Sequence, residues 1–267
     1  MWPIFKRVLK DRRILLIIYS LSSIALLWMY IALFPSFQSQ SRSLEELIKS
    51  YPESFLKAFN FDINSLTTIE GFLSTEQFSF VWPLLVIFMT VGYAGSAFAG
   101  EIEKGTIEIL LSQPISRLKI FFGKYLSGLM MLFIFTFVSV YAAVPLSRSY
   151  DISVDSKNFL TMTLLAILFS WAIYAIGIFF SAVFSDKGKV FFLSGIILVA
   201  MYVLNILASI KESLSDLKYA SFFYYFNPSK ALVYNEIDHW SYLIFIGVIV
   251  LFTIMGAVYF TKRDATN

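Results

Sequence analysis

The chain has 267 residues, of which 58% are hydrophobic and only 15% charged, with a formal net charge of +3. A soluble domain carries about 25% charged residues, so the composition defines a polytopic membrane protein rather than a soluble one. Cysteine is absent and His239 is the single histidine, which excludes disulfides, thiol chemistry and zinc sites built from His and Cys.

The N-terminal segment 1–13 is basic and amphipathic. Ile4, Phe5, Val8 and Leu9 share one helical face, while Lys6, Arg7, Lys10 and Arg13 can reach lipid phosphates. It reads as an interfacial helix or as a plain positive-inside anchor, and both can hold. The first apolar run, 14–34, is longer than a signal h-region and no small-x-small cleavage site follows it. We read it as a retained transmembrane helix. A crossing needs about 20 apolar residues, and five further runs qualify, at about 78–99, 125–146, 159–184, 190–210 and 240–260. None of the six contains Asp, Glu, Lys, Arg or His. The expected fold is all-α: one transmembrane domain over 1–267 with six spans.

The segment 35–77 is too long for a bare connection. Ser43 and Glu46 fit a capping box, and Leu44, Leu47, Ile48, Tyr51, Phe55 and Phe59 follow at helical spacing, interrupted by Pro52. This predicts an external amphipathic helix over about 43–60, either stabilising the surface or gating a pathway. In the second span, Gly92, Gly95, Ser96, Ala99 and Gly100 fall on one face and permit close helix packing. Segment 211–239 holds an aromatic run, Phe222, Phe223, Tyr224, Tyr225 and Phe226, before Asn227 and Pro228 break it. That run is a re-entrant or interfacial helix, or an aromatic belt.

The positive-inside rule orients the chain. With the N-terminus inside, the inner segments carry 13 Lys/Arg and 6 Asp/Glu, and the longer outer segments carry 8 and 12. Both termini are therefore expected in the cytoplasm, and the loop 100–124 with them. Within that loop, Glu101 and Glu103 stand near the start of a short helix, where negative charge is favourable. Gly105 and Thr106 loosen or re-cap the chain, Pro114 ends the helix, and Ser116 is placed to N-cap the next one, whose first turns hold Arg117 and Lys119. Ile107, Ile109, Leu110 and Leu111 are apolar yet outside the spans. Such a helix suits docking into a partner's groove or lying on lipid as a hairpin.

The string from Gly100 to Arg117, followed by Gly123-Lys124, closely resembles the cytosolic loop of type-2 ABC transporter permeases. That family's loop reads approximately A-G-E-x-E-x-G-T-L-E-L-L-L-S-x-P-x-S-R, then G-K, and here Ile107 replaces the usual Leu. Ser185 to Lys189 resembles the family's short second cytosolic loop, and Tyr219 to Leu232 the aromatic segment before its last span. Tyr51 to Phe59 is similar, more weakly, to a segment of antibiotic-exporter permeases. The resemblance covers essentially the whole chain.

What it implies is a multi-pass permease subunit of an exporter in the cell membrane. A second permease subunit, identical or related, would complete the pathway, and lipids but no nucleic acid would contact it. A separate subunit would bind ATP and magnesium, leaving this chain without cofactor, metal or catalytic residue. The first loop would be the coupling helix, with Glu101, Glu103, Gly105, Thr106, Glu108, Leu111, Pro114, Ser116 and Arg117 at or near the ATPase, and Glu101 and Glu103 paired with its basic groups. Segment 1–13 would be the elbow helix. Phe222, Phe223, Tyr224, Tyr225, Asn227 and Pro228 would line an outer gate.

The residues support that division of labour on their own. A phosphate-binding loop needs G-x-x-x-x-G-K-S/T, whereas Gly123-Lys124 runs into Tyr125 and lacks the preceding glycine. An ion-coupled carrier keeps ionisable groups at membrane depth, and here Asn205 is the strongest polar group well inside a span. An intramembrane enzyme would have to use His239, which reads as interfacial. A sensor or assembly module stays open. Apolar, Phe-rich spans favour a hydrophobic or amphipathic cargo such as a drug, antibiotic, peptide or lipid.

Overall fold

The computed structural model describes residues 1–39 and 68–263. Among the described residues all regular structure is helical. Six stretches are long and apolar enough to cross a bilayer: Trp2–Ser39, Ile69–Ala97, Arg117–Arg148, Ser156–Val183, Lys187–Ile210 and His239–Lys262. The external helix anticipated over 43–60, with its Ser43–Glu46 capping box, lies outside the described residues.

Helix α1 (Trp2–Ser39) is one continuous element. No Gly or Pro interrupts 4–34, so the amphipathic start continues into the first span instead of forming a separate helix. At 1.5 Å per residue, α1 is about 57 Å long, well beyond an apolar core of about 30 Å. It buries only a stripe, Ile4, Ser23, Leu27, Ile31 and Phe34, and leaves Ile14, Ile17, Ile18, Leu21 and Trp28 exposed for lipid.

The second membrane-length stretch is composite. Thr68 caps α2 (Ile69–Leu73) by accepting from Gly71 N at 3.2 Å. A π-helix over Ser74–Val81 follows, then α3 (Trp82–Ala97) with Pro83 in its first turn. Two short helices, α4 (Ala99–Glu103) and α5 (Ile107–Leu111), lead to α6 (Arg117–Tyr141) and α7 (Ala143–Arg148). Helix α8 (Ser156–Val183) starts at Asp155, whose carboxylate accepts from Lys157 N, and α9 (Lys187–Ile210) starts likewise at Asp186.

A 3-10 stretch, Glu212–Ala220, then leads to α10 (Phe222–Tyr225), α11 (Pro228–Val233) and the last span, α12 (His239–Lys262). His239 is exposed at the start of α12.

The packing order follows from burial. Helix α8 is apolar all round and buried on most faces, as expected of a central helix, whereas α1, α9 and α12 present broad apolar faces outward. Small residues permit the close contacts. Gly177 of α8 faces Ala94 of α3, and Gly128 of α6 lies directly under the rings of Tyr93 and Tyr174. Gly123 of α6 sits against Ile4 and Met1, and Arg117, less than two turns earlier, reaches Arg263. Both ends of the described chain therefore lie at the same end of the bundle. The helix boundaries also change the ionisable inventory: Glu76 and Lys124, just outside the predicted spans, sit on membrane-length helices.

Candidate coupling segment

The chain leaves α3 at Phe98, whose φ of −125° and ψ of −58° break the helix. The backbone N–H groups of Phe98 and Ala99, freed by that break, both donate to Ser181 Oγ of α8 at 3.1 Å. The Phe98 ring stacks on Phe121 of α6 at 5.4 Å and packs on Phe260 of α12 at 4.4 Å. The break is thus held by three neighbouring helices.

Glu101 forms an ion pair with Lys124 of α6, whose ammonium is almost fully buried. Lys124 Nζ also donates to Ala97 O at 2.6 Å. The Lys124 carbonyl accepts from Tyr93 Oη at 2.9 Å, and that hydroxyl shares a 2.7 Å hydrogen bond with Ser127. Deeper in the bundle, Tyr174 Oη donates to Tyr125 O, while Tyr125 Oη bonds Trp171 and Thr253. A buried charge costs several kcal/mol unless paired and hydrogen-bonded (roughly), and here both requirements are met. Glu103 Oε2 accepts from Lys187 N at 3.1 Å, satisfying a donor at the N-terminus of α9. Within the chain each of the two carboxylates is engaged, Glu101 by Lys124 and Glu103 by Lys187 N.

Gly105 adopts φ +68°, the left-handed region that favours glycine. Gly105 N donates to Ile102 O and Thr106 N to Glu101 O, each at 2.9 Å. This pair of bonds is a Schellman closure of α4, which turns the chain into α5. On α5, Ile107 points inward and is buried, Leu110 and Leu111 are half-buried, and Glu108 and Ile109 face out, with Ile109 68% exposed. Pro114 is exposed in the turn that follows. Ser116 occupies the N-cap position of α6 without a side-chain capping bond.

Arg117 turns inward, donating to Arg263 O and Thr261 O at the end of α12. Arg263 in turn donates to Ala182 O at 2.9 Å, to Phe184 O at 3.1 Å and to Ser185 Oγ. Two arginines thus satisfy terminal carbonyls of two helices and tie the ends of α6, α12 and α8 together.

The small-residue face of α3 meets α9. Gly92 faces Phe191 and Gly95 faces Lys187, while Gly100 approaches Gly95 O. Ser96 Oγ turns back to Gly92 O at 2.9 Å.

At the opposite end, the aromatic segment turns into the bundle. Phe222, Phe223, Tyr225 and Phe226 are buried, and Tyr224 is exposed. Phe226 packs on Phe169 of α8 at 4.3 Å and stacks on Trp82 of α3 at 5.8 Å. Phe222 meets Phe245 of α12, and Phe223 meets Tyr202 of α9. Asn227 and Pro228 end α10 and also begin α11: Asn227 Oδ1 accepts from Lys230 N at 3.0 Å, with Pro228 at the first helical position.

The sequence did not single out Ser181, Arg263 or Gly128, and it showed Phe226 only as one member of the aromatic run. Lys124, a charge at the very edge of an apolar run, gave a visible signal.

A bundle of six membrane-length helices with a braced excursion between the second and third defines a polytopic helical membrane protein. The family model described as ABC-2 family transporter protein matches residues 2–265, and the chain belongs to that family. It is thereby a permease component of an ABC transporter, a membrane transport subunit. Comparison with curated proteins returns no match.

Proposed function

We propose that the chain is the exporter-type permease subunit that receives work from a separate ATPase through α4 and α5. The observation that carries this reading is the two-sidedness of the segment. Its inner side is bonded to three spans through Ser181, Lys124 and Lys187. Its outer side presents Glu108 and Ile109 without burying them. A short helix with an exposed aliphatic residue and a flanking carboxylate suits a partner's groove. Force on α5 would then pass through the Schellman turn to α4 and on to α6 and α9 as a rigid body.

In this reading the shared end of the two termini is cytoplasmic, as the Lys/Arg bias favours. ATP and magnesium belong to the partner. A second permease subunit, the same or related, completes the pathway, and the exposed apolar faces of α1, α9 and α12 offer surface for it and for lipid. The inward-turned aromatics from Phe222 to Phe226 form the outer gate, with Tyr224 at its rim. The cargo is hydrophobic or amphipathic, a preference supported by the apolar bundle. Lys124 does not favour an ion-coupled carrier, because Glu101 already neutralises it.

The test is co-purification of the chain with a candidate P-loop ATPase, followed by ATPase assays in proteoliposomes. Ile109→Asp is expected to abolish association while leaving the isolated permease folded. Full association and coupling with Asp at 109 would remove α5 as the docking element.

A further inference from the structure

Arg12 is the one cation of the N-terminal cluster that faces the bundle. It is half-buried and lines, with Asp11, Tyr93, Ser96, Glu101 and Lys124, a cavity of about 290 Å³ between α1 and the α3–α6 corner. Among the described residues the Arg12 side chain makes no hydrogen bond or ion pair. Its guanidinium is nevertheless close enough to act electrostatically on Lys124 and Tyr93, as Arg7 is on Lys124. Asp11 is drawn to Arg7 at 3.7 Å, and Glu101 is taken by Lys124. The cavity lining thus holds two cations, Arg12 and Lys124, and two carboxylates; Lys124 takes Glu101, Arg7 outside the cavity takes Asp11, and Arg12 is left without a partner among the described residues. Arg12 therefore offers its N–H donors to an anion that the chain itself does not supply.

Depth selects the kind of anion. Arg12 and Arg13 immediately precede the apolar run that begins at Ile14, which puts the cavity at headgroup level. Guanidinium is the side chain best suited to bind phosphate oxygens in pairs. We propose that the cavity holds the phosphodiester of a phospholipid from the leaflet on the Met1 side. There it bridges α1 to the Glu101–Lys124 pair, so that lipid braces the same corner that carries α4. This site is independent of any ATPase partner.

The test uses the full chain in detergent, titrated with phosphatidylglycerol and followed by native mass spectrometry. One tightly retained phospholipid per chain is expected, whereas diacylglycerol of the same acyl chains is not retained. Arg12→Gln is expected to weaken retention about tenfold or more, and Arg12→Lys, which keeps the charge, to weaken it less. Arg13→Gln, on the exposed neighbour, should change it less than about twofold. Equal losses at positions 12 and 13, or retention of diacylglycerol like phospholipid, would overturn the site. So would inorganic phosphate alone raising the melting temperature in an Arg12-dependent way, since the site would then belong to a soluble anion. A thermal melt of each variant without lipid separates lost binding from lost folding.

Discussion

Glu101 and Lys124 form an ion pair across the corner between α4 and α6, with the ammonium 3% exposed and the carboxylate 33% exposed. The asymmetry makes Lys124 the costly member: it cannot reach water, while Glu101 partly can. Removing one partner of a buried pair costs about 3–5 kcal/mol, and the access of Glu101 to solvent lowers the expectation toward the bottom of that range. Glu101→Gln is thus expected to lower the melting temperature of the purified chain. Glu101→Leu combined with Lys124→Met should recover much of the loss. If the pair also transmits work to or from a partner ATPase, the double variant stays folded but ATP hydrolysis in the assembled complex no longer responds to cargo. A double variant that melts and couples like the original would show the pair to be incidental.

Gly105 isolates the turn between α4 and α5. A left-handed conformation costs a non-glycine residue about 1–2 kcal/mol, and the backbone at Gly105 has φ +68° with open space around it. Gly105→Ala therefore meets no clash, and its penalty is conformational alone. It should loosen the Schellman closure and raise amide exchange at Gly105 and Thr106, with a global melting temperature nearly unchanged. Gly105→Asn, which tolerates that region better, should fall between the two.

Gly128 and Gly195 make an opposed pair. A Cβ at Gly128 would collide with Tyr93 and Tyr174, both buried rings, whereas a Cβ at Gly195 meets nothing within 4 Å. Gly128→Ala is expected to destabilise by about 1–3 kcal/mol through overpacking. Gly195→Ala should be neutral or slightly stabilising, because alanine is the better helix former. Thermal melts of the two variants in one detergent check the contrast.

The six spans were legible because length and hydropathy leave few alternatives, and the charged loop was legible because it interrupts them. What could not be read was direction. Glu101, Glu103 and Arg117 look like cytosolic charges in the sequence, yet their partners, Lys124, Lys187 N and Arg263 O, are set by helix packing. Ser181 leaves no trace in a run of apolar residues, since its role exists only where Phe98 breaks α3 against α8. The amphipathic start runs on into the first span for a local reason: no Gly or Pro between Ile4 and Phe34 stops the helix. Phe226 differed from its neighbours only in what Trp82 and Phe169 offer it. The π-helix of Ser74–Val81 carries no compositional sign.

That π-helix holds the last expectation. Gln77 is fully buried there, and neither atom of its amide has a hydrogen-bond partner among the described residues. A buried amide left unsatisfied costs about 1–3 kcal/mol, and π-helical segments are rare and frequently found at functional sites. Gln77→Leu keeps a comparable shape and removes the cost, so it is expected to raise the melting temperature by the equivalent of about 1–2 kcal/mol. Gln77→Glu should do the reverse, because an unpaired acid at this depth is worse still. Both are read from thermal melts of the purified chain. If Leu at 77 is as damaging as Glu, the amide is engaged in the folded protein, and the π-helix must then be explained by what it binds there.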